Sequence, residues 1–264
     1  IYRLSMLDLV PEGSNLSEVI QLGKAIEQAG ASIINTGIGW HEARIPTIAT
    51  KVPRAAFTWV THAVRKHLTV PVITSNRINT PEVAERVLAN GDADLISMAR
   101  PFLADPEFVN KAAANQAERI NTCIGCNQAC LDHVFNGKTS SCLVNPRACE
   151  ETRIIIAPTQ AIKTIAIVGA GPAGLACAVT AAERGHKVTL YDAASEIGGQ
   201  FNIAKRIPGK EEFSETLRYF EVRLKELNVE VKLDTSLTTQ ALNQMQVDEL
   251  VLATGVSPRQ LALP

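Results

Sequence analysis

The sequence carries almost no net charge: 26 Lys and Arg face 27 Asp and Glu, for a formal charge of -1. So balanced a chain projects no field that would gather nucleic acid or an anionic membrane, and neither is expected as a partner. No run of about 18 apolar residues is present, so nothing is expected to span a bilayer as a helix. The first eight residues lack the small-residue cleavage site of a secretory signal. A soluble globular protein of the cytoplasm is expected, with 264 residues giving room for two cores. There is no initiator Met either. Ile1 opens directly on a strand-like run and Pro264 follows another, so a larger parent is expected, whose remainder would be this chain's missing partner.

Between residues 1 and 110, short apolar runs alternate with amphipathic stretches, the pattern of β/α units feeding a parallel sheet. Strands are expected at Ile1–Ser5, Ser32–Thr36, Val70–Thr74 and Asp94–Met98. Leu16, Val19, Ile20 and Ile26 recur at helical spacing, as do Phe57, Val60, Val64 and Leu68. Thr80 and Pro81 read as an N-cap and first helical residue. Four such units suit half of a (β/α)8 barrel or one wing of a doubly wound sheet, and periodicity leaves both open. Arg3 falls within the first strand, whereas His41, Arg77 and Arg100 follow the second, third and fourth. Loops after the last two strands of a barrel commonly hold phosphate, which is the functional reading of Arg77 and Arg100. The alternative is a pair of ordinary surface arginines.

Five of the six Cys lie between residues 123 and 149, and four of them form the spacing Cys123-x2-Cys126-x3-Cys130-x11-Cys142. Cytoplasmic thiols stay reduced, so metal ligation explains the clustering better than disulfides. Three thiolates in eight residues with a fourth returning later suit a 4Fe-4S cluster. A four-thiolate zinc site is the rival.

A strand-like run, Lys163–Val168, leads into Gly169-Ala170-Gly171-Pro172-Ala173-Gly174 and an Ala-rich helix, and the next strand ends before Asp192. G-x-G-x-x-G in that context, with an acidic residue 18 positions on, is a dinucleotide fingerprint. Gly169 permits the turn and Gly171 lets backbone N–H groups approach a pyrophosphate. Gly174 admits close helix packing, and Asp192 can accept from an adenosine ribose. A carboxylate there disfavours the 2′-phosphate of NADP, and Gly198-Gly199-Gln200 leans the reading from NAD toward FAD.

These segments together resemble the bacterial NADPH-dependent 2,4-dienoyl-CoA reductase family, which joins an old-yellow-enzyme-like barrel to a cluster and an FAD/NADPH module. The resemblance covers essentially the whole chain. Its most specific stretches are Gly37-Ile38-Gly39-Trp40-His41-Glu42-Ala43-Arg44, Asn76-Arg77-Ile78, Ser97-Met98-Ala99-Arg100-Pro101-Phe102, the cysteine run, Gly169–Gly174 and Ala253-Thr254-Gly255. It implies that Arg3, Arg77, Ala99 and Arg100 contact FMN, and that Cys123, Cys126, Cys130 and Cys142 ligate 4Fe-4S. It further implies that Gly169, Gly171, Pro172, Ala173, Gly174, Asp192, Gly199 and Gln200 hold FAD. His41, Glu42, Ala43 and Arg44 would form the substrate-side loop, with His41 the catalytic acid-base residue beside a Tyr that this sequence lacks.

The fold class expected is therefore α/β: the C-terminal half of a (β/α)8 TIM barrel (1–115), a Cys-rich cluster segment (116–160) and a partial Rossmann-like FAD-binding domain (161–264). The implied activity is NADPH-dependent reduction of a small-molecule acyl-CoA through FAD, 4Fe-4S and FMN, in the breakdown of unsaturated fatty acids. NADPH gives two electrons together and a cluster moves one, so flavins must flank the cluster. A half barrel leaves strand edges open, and this piece alone is not expected to turn over. The rival readings are a related enoate-reductase-like or trimethylamine-dehydrogenase-like flavoenzyme, and a non-enzymatic zinc and nucleotide binding module.

Overall fold

The short apolar runs become strands because their side chains alternate between a helix-covered face and an open one. In the computed structural model, which describes residues 1–40 and 42–257, two units are distinguished, the first ending at Cys149 and the second beginning at Glu150. The first runs β1 (Tyr2–Leu7), α1 (Leu16–Gln28), β2 (Ile34–Ile38), α2 (Thr58–Arg65), β3 (Val72–Thr74), α3 (Pro81–Ala89) and β4 (Leu95–Ile96). Three short helices follow: α4 (Arg100–Ala104), α5 (Phe108–Ala113) and α6 (Leu131–Phe135).

The four strands are parallel and lie in chain order, β1-β2-β3-β4, with no reversal. A doubly wound sheet reverses its order and carries helices on both faces, whereas unbroken sequential order belongs to a β/α barrel. Leu4 and Met6 of β1, Ile34 and Ile38 of β2 and Val72 of β3 pack against Val19, Ile26, Val60 and Val64 of the first two helices. Each such side chain, fully buried, contributes about 1.5–3 kcal/mol. Within this layer the Thr61 hydroxyl lies 2.9 Å from that of Thr36 and donates to that of Thr74 at 2.8 Å, so three buried hydroxyls satisfy one another.

Register places Arg3 beside Asn35, Asn35 beside Ile73, and Ile73 beside Leu95. Alternation puts this row on the face opposite the helices, which is the interior of a barrel. The helix ends explain themselves. Asn15 Oδ1 accepts from Glu18 N and Glu18 Oε2 from Asn15 N, a reciprocal cap on α1, and Thr80 accepts from Val83 N at the head of α3.

The second unit contains β5 (Thr164–Val168), α7 (Pro172–Glu183), β6 (Lys187–Tyr191), α8 (Phe201–Ala204), α9 (Phe213–Glu226), β7 (Glu230–Lys232), α10 (Thr239–Asn243) and β8 (Glu249–Leu252). Its strands are parallel in the order β7-β6-β5-β8, so the order reverses beside β5. Ile165, Ile167, Val188 and Leu190 of the sheet close against Leu175, Val179, Leu217 and Leu224 of α7 and α9. This is the Rossmann-like arrangement, with its switch point between β5 and β8. No helix among the described residues is long and apolar enough to cross a membrane.

Candidate functional site

The carboxyl ends of β1 and β2 frame a pocket of 420 Å³ lined by Arg3, Ser5, Gly37, Trp40 and Glu42 among others. Arg3 is exposed on the open face of the sheet. It runs over Gly37, where an added Cβ would stand 3.7 Å from Arg3 Nε and 3.2 Å from the Leu4 carbonyl oxygen. Glu42 and Arg44 are exposed and Ala43 is half-buried. His41 lies outside the described residues.

Loops after β3 and β4 carry the other two arginines. Asn76 (φ 73°) and Arg77 (φ 56°) are consecutive left-handed residues, which turn the chain sharply after β3. Arg77 is no surface arginine: it is 5% exposed and its Nε donates to the Val52 carbonyl at 2.8 Å. Arg100 is half-buried. Its Nη1 donates to Asn127 Oδ1 at 2.5 Å and its Nη2 to the Ile48 carbonyl at 2.9 Å. Ala99, just ahead of it, is exposed.

Both arginines face the cysteine segment. Fully buried Ile120 and Ile124 anchor that segment, Asn79 Nδ2 donates to the Cys123 carbonyl at 2.9 Å, and the Thr50 hydroxyl donates to the Ile124 carbonyl. At Gly125, an added Cβ would fall 3.2 Å from Arg77 Nη1 and from Thr50 backbone. Burial pushes the Cys123 and Cys126 thiols up and Cys142 up to about 11, while Arg100 and Arg77 pull Cys123 back. Each of these three also senses the charge of others in the quartet: Cys130 acts on Cys123, Cys123 and Cys130 on Cys126, and Cys123 and Cys126 on Cys142. Among the described residues, however, no three His, Cys, Asp or Glu side chains are drawn together as one bound metal ion would draw them. Four sulfurs around a zinc ion lie about 3.8 Å apart, given a Zn–S bond of about 2.3 Å.

In the second unit the glycine loop sits at the switch point. An added Cβ at Gly174 would lie 1.8 Å from the Gly169 carbonyl oxygen, and one at Gly169 2.2 Å from that of Ala253. Both positions are closed to any side chain. At Gly171, the N-cap of α7, nothing stands within 4 Å of the same added atom, and Pro172 and Ala173 beside it are exposed. An open helix N-terminus of this kind accepts a pyrophosphate. Asp192 follows β6 directly and receives the Ala170 N–H at 2.5 Å and the Ala194 N–H at 2.8 Å. Gly199 lies over the loop, an added Cβ falling 3.1 Å from Gly171 Cα, and Gln200 Nε2 donates to the Val256 carbonyl at 2.7 Å. The glycine loop, Asp192 and Gly199 thus lie close together at the carboxyl end of β5.

Sequence reasoning missed Asp8, Ser5 and Asn127. Asp8 is a buried carboxylate bonded to Ser5 and Trp40, which line the 420 Å³ pocket, and Asn127 sits inside the cysteine spacing. Neither belongs to a recognisable spacing, because each acts through contacts across 27 to 32 residues of chain.

Comparison with known proteins assigns both halves. Residues 1–119 match the NADH:flavin oxidoreductase / NADH oxidase family and residues 163–264 the pyridine nucleotide-disulphide oxidoreductase family. The chain is 39% identical to a metal reductase of Desulforamulus reducens, across 100% of this chain and 40% of that protein. It is 32% identical to a cinnamate reductase of Clostridium sporogenes, across 96% of this chain and 38% of that one. A solved 2-naphthoyl-CoA reductase in complex with 2-naphthoyl-CoA superposes with a TM-score of 0.95 and 33% identity, covering 99% of this chain and 40% of the other. The chain thus spans about 40% of the length of the relatives it matches.

Proposed function

Because the chain joins an NADH:flavin oxidoreductase segment to a pyridine nucleotide-disulphide oxidoreductase segment, and so is of a flavin-dependent oxidoreductase type, we propose that the intact protein reduces a 2,4-dienoyl-CoA to an enoyl-CoA with NADPH as donor. The observation that carries the reading is the pocket at the ends of β1 and β2. It sets Arg3 and Trp40 at the open face of a flavin-family barrel, in a fold shared with an enzyme whose named ligand is a conjugated CoA thioester.

Bound at these places, FMN, FAD and a 4Fe-4S cluster would supply hydride chemistry at either end and single-electron transfer between. The chain's own residues hold and orient. Arg3 would offer a cation to the flavin, while Arg77, Ala99 and Arg100, on the loops after β3 and β4, would offer donors to its phosphate. Cys123, Cys126, Cys130 and Cys142 would ligate the cluster, a reading supported by their spacing in the chain, three within eight residues and a fourth returning later. Gly169 to Gly174, Asp192, Gly199 and Gln200 would hold FAD. His41 would deliver the proton that completes reduction, imidazole being the most frequent general acid and base in enzymes.

A second reading is favoured by the cinnamate reductase relative: a free conjugated acid in place of a CoA ester. One preparation separates the two. The intact protein, purified without oxygen, is assayed for iron, acid-labile sulfide and both flavins, then offered a 2,4-dienoyl-CoA and cinnamate with NADPH and NADH. Four iron and four sulfide per chain with consumption of the thioester are expected from the 4Fe-4S assignment. Zinc without sulfide, or turnover of cinnamate alone, would overturn it.

A further inference from the structure

Asp8 has no part in the readings so far, yet it is one of the most constrained carboxylates in the first unit. It is 4% exposed, and a buried carboxylate is costly unless its oxygens are satisfied. Here they are. Oδ1 accepts from the Ser5 hydroxyl at 2.6 Å and from Trp40 Nε1 at 2.8 Å, and Oδ2 accepts from the Ser14 N–H at 2.8 Å. Burial alone would raise the carboxyl, but these bonds outweigh it and hold the group below the usual carboxylate range, so it stays ionised.

The backbone prepares this contact. Pairing between β1 and β2 slips by one residue between Ser5 and Leu7, and beyond the slip the Asp8 carbonyl accepts from the Trp40 N–H at 3.1 Å. Such irregularities near strand ends re-aim side chains toward sites. Asp8 thus grips Trp40 twice, through main chain and side chain. Ser5 and Trp40 both line the 420 Å³ pocket, and the indole, though tied at its nitrogen, remains 53% exposed. Exposure of one indole is ordinary in itself; what sets Trp40 apart is its double tie to Asp8 beside the pocket.

We infer that Asp8 is a positioning residue, which fixes Trp40 and Ser5 as one wall of the pocket so that the flat, conjugated part of an acyl substrate stacks on the indole. An aromatic plane held at its edge offers a stacking surface with little rotamer entropy left to lose. The clamp rests on geometry alone; the nature of its occupant rests on the proposed function.

The test uses the intact holoprotein labelled with 5-fluorotryptophan, the Trp40 resonance being assigned by its loss in Trp40→Phe. Asp8→Asn is expected to shift and broaden that resonance and to raise KM for a 2,4-dienoyl-CoA by about fivefold, the worth of one ordinary hydrogen bond, with a smaller effect on kcat. Trp40→Phe keeps a ring and the Asp8 bonds to Ser5 and Ser14. It should raise KM similarly, and the double variant no further than either single. An unmoved Trp40 resonance in Asp8→Asn overturns the clamp, as does an additive double variant. Should Asp8→Asn fail to fold, Trp40→Phe decides alone, an unchanged KM counting against the inference. A wild-type Trp40 resonance that responds to cinnamate but not to the thioester would refute the proposed substrate while leaving the clamp standing.

Discussion

Arg100 and Asn127 are joined by a 2.5 Å hydrogen bond from Nη1 to Oδ1, although 27 residues separate them. With Nη2 on the Ile48 carbonyl, one guanidinium ties the loop after β4, the segment after β2 and the cysteine loop together. Only a planar fork reaches two acceptors in this way.

Arg100→Lys is therefore expected to behave like Arg100→Gln rather than like wild type, loosening the cysteine loop by about 1.5–3 kcal/mol. Limited proteolysis within residues 120–149, with iron and sulfide retained after gel filtration, measures it. Wild-type protection in the lysine variant would show that charge alone suffices.

The glycine loop makes a paired prediction. Gly174→Ala, with its added atom 1.8 Å from a carbonyl oxygen, should destabilise the second unit by about 3 kcal/mol or more. Gly171→Ala meets nothing within 4 Å, so the melting temperature of the cofactor-free protein should hold. Its methyl group instead occupies the space a pyrophosphate would fill, and FAD retention should fall about tenfold or more. Fluorescence of released flavin distinguishes the two.

Asp94 links stability to pH. Its side-chain bonds to Arg65, at 2.6 and 3.0 Å, and the Val72 N–H at 2.9 Å hold the carboxyl below its ordinary value of 3.8. The stabilisation is thus complete above that value and is lost as pH falls through the lower, folded one. Since both side chains are substantially exposed, Asp94→Asn should cost about 1 kcal/mol or less at pH 7 and a smaller amount at about pH 3. Urea unfolding at the two pH values checks this.

Thr61 stands between Thr36 and Thr74 in the buried hydroxyl chain. Replacing it with Val keeps the shape but removes the shared partner, at a cost of about 1–3 kcal/mol, whereas Thr61→Ser should cost less. Thermal unfolding of the two variants gives the comparison.

Much of this architecture was legible in the sequence because the signals are local. Thr80-Pro81 marked the head of α3, and the strand, glycine loop and Asp192 marked the second unit, which has that arrangement. Periodicity left barrel and doubly wound sheet open; the resemblance gave the half barrel, and the strand order bears it out. The Glu-Val-Lys strand β7 has too little apolar content to signal itself and is held by pairing to β6. The rival reading of Arg77 as a surface residue failed because burial comes from Val52 and the cysteine loop, both distant in the chain. Asp8 escaped notice for the same reason: its partner is 32 residues away.

The alternation along β1 has a consequence for how such a protein can change over time. Leu4 and Met6 serve the packed layer while Arg3 and Ser5 serve the open one, so single replacements can be absorbed at either set independently. An inserted or deleted residue ahead of Leu4 would exchange the two sets at once, sending an arginine into the helix-packed layer and a leucine to the open face. Variation in β1 should therefore proceed by replacement at constant length, and gains or losses of residues should be confined to the turn between Leu9 and Ser14.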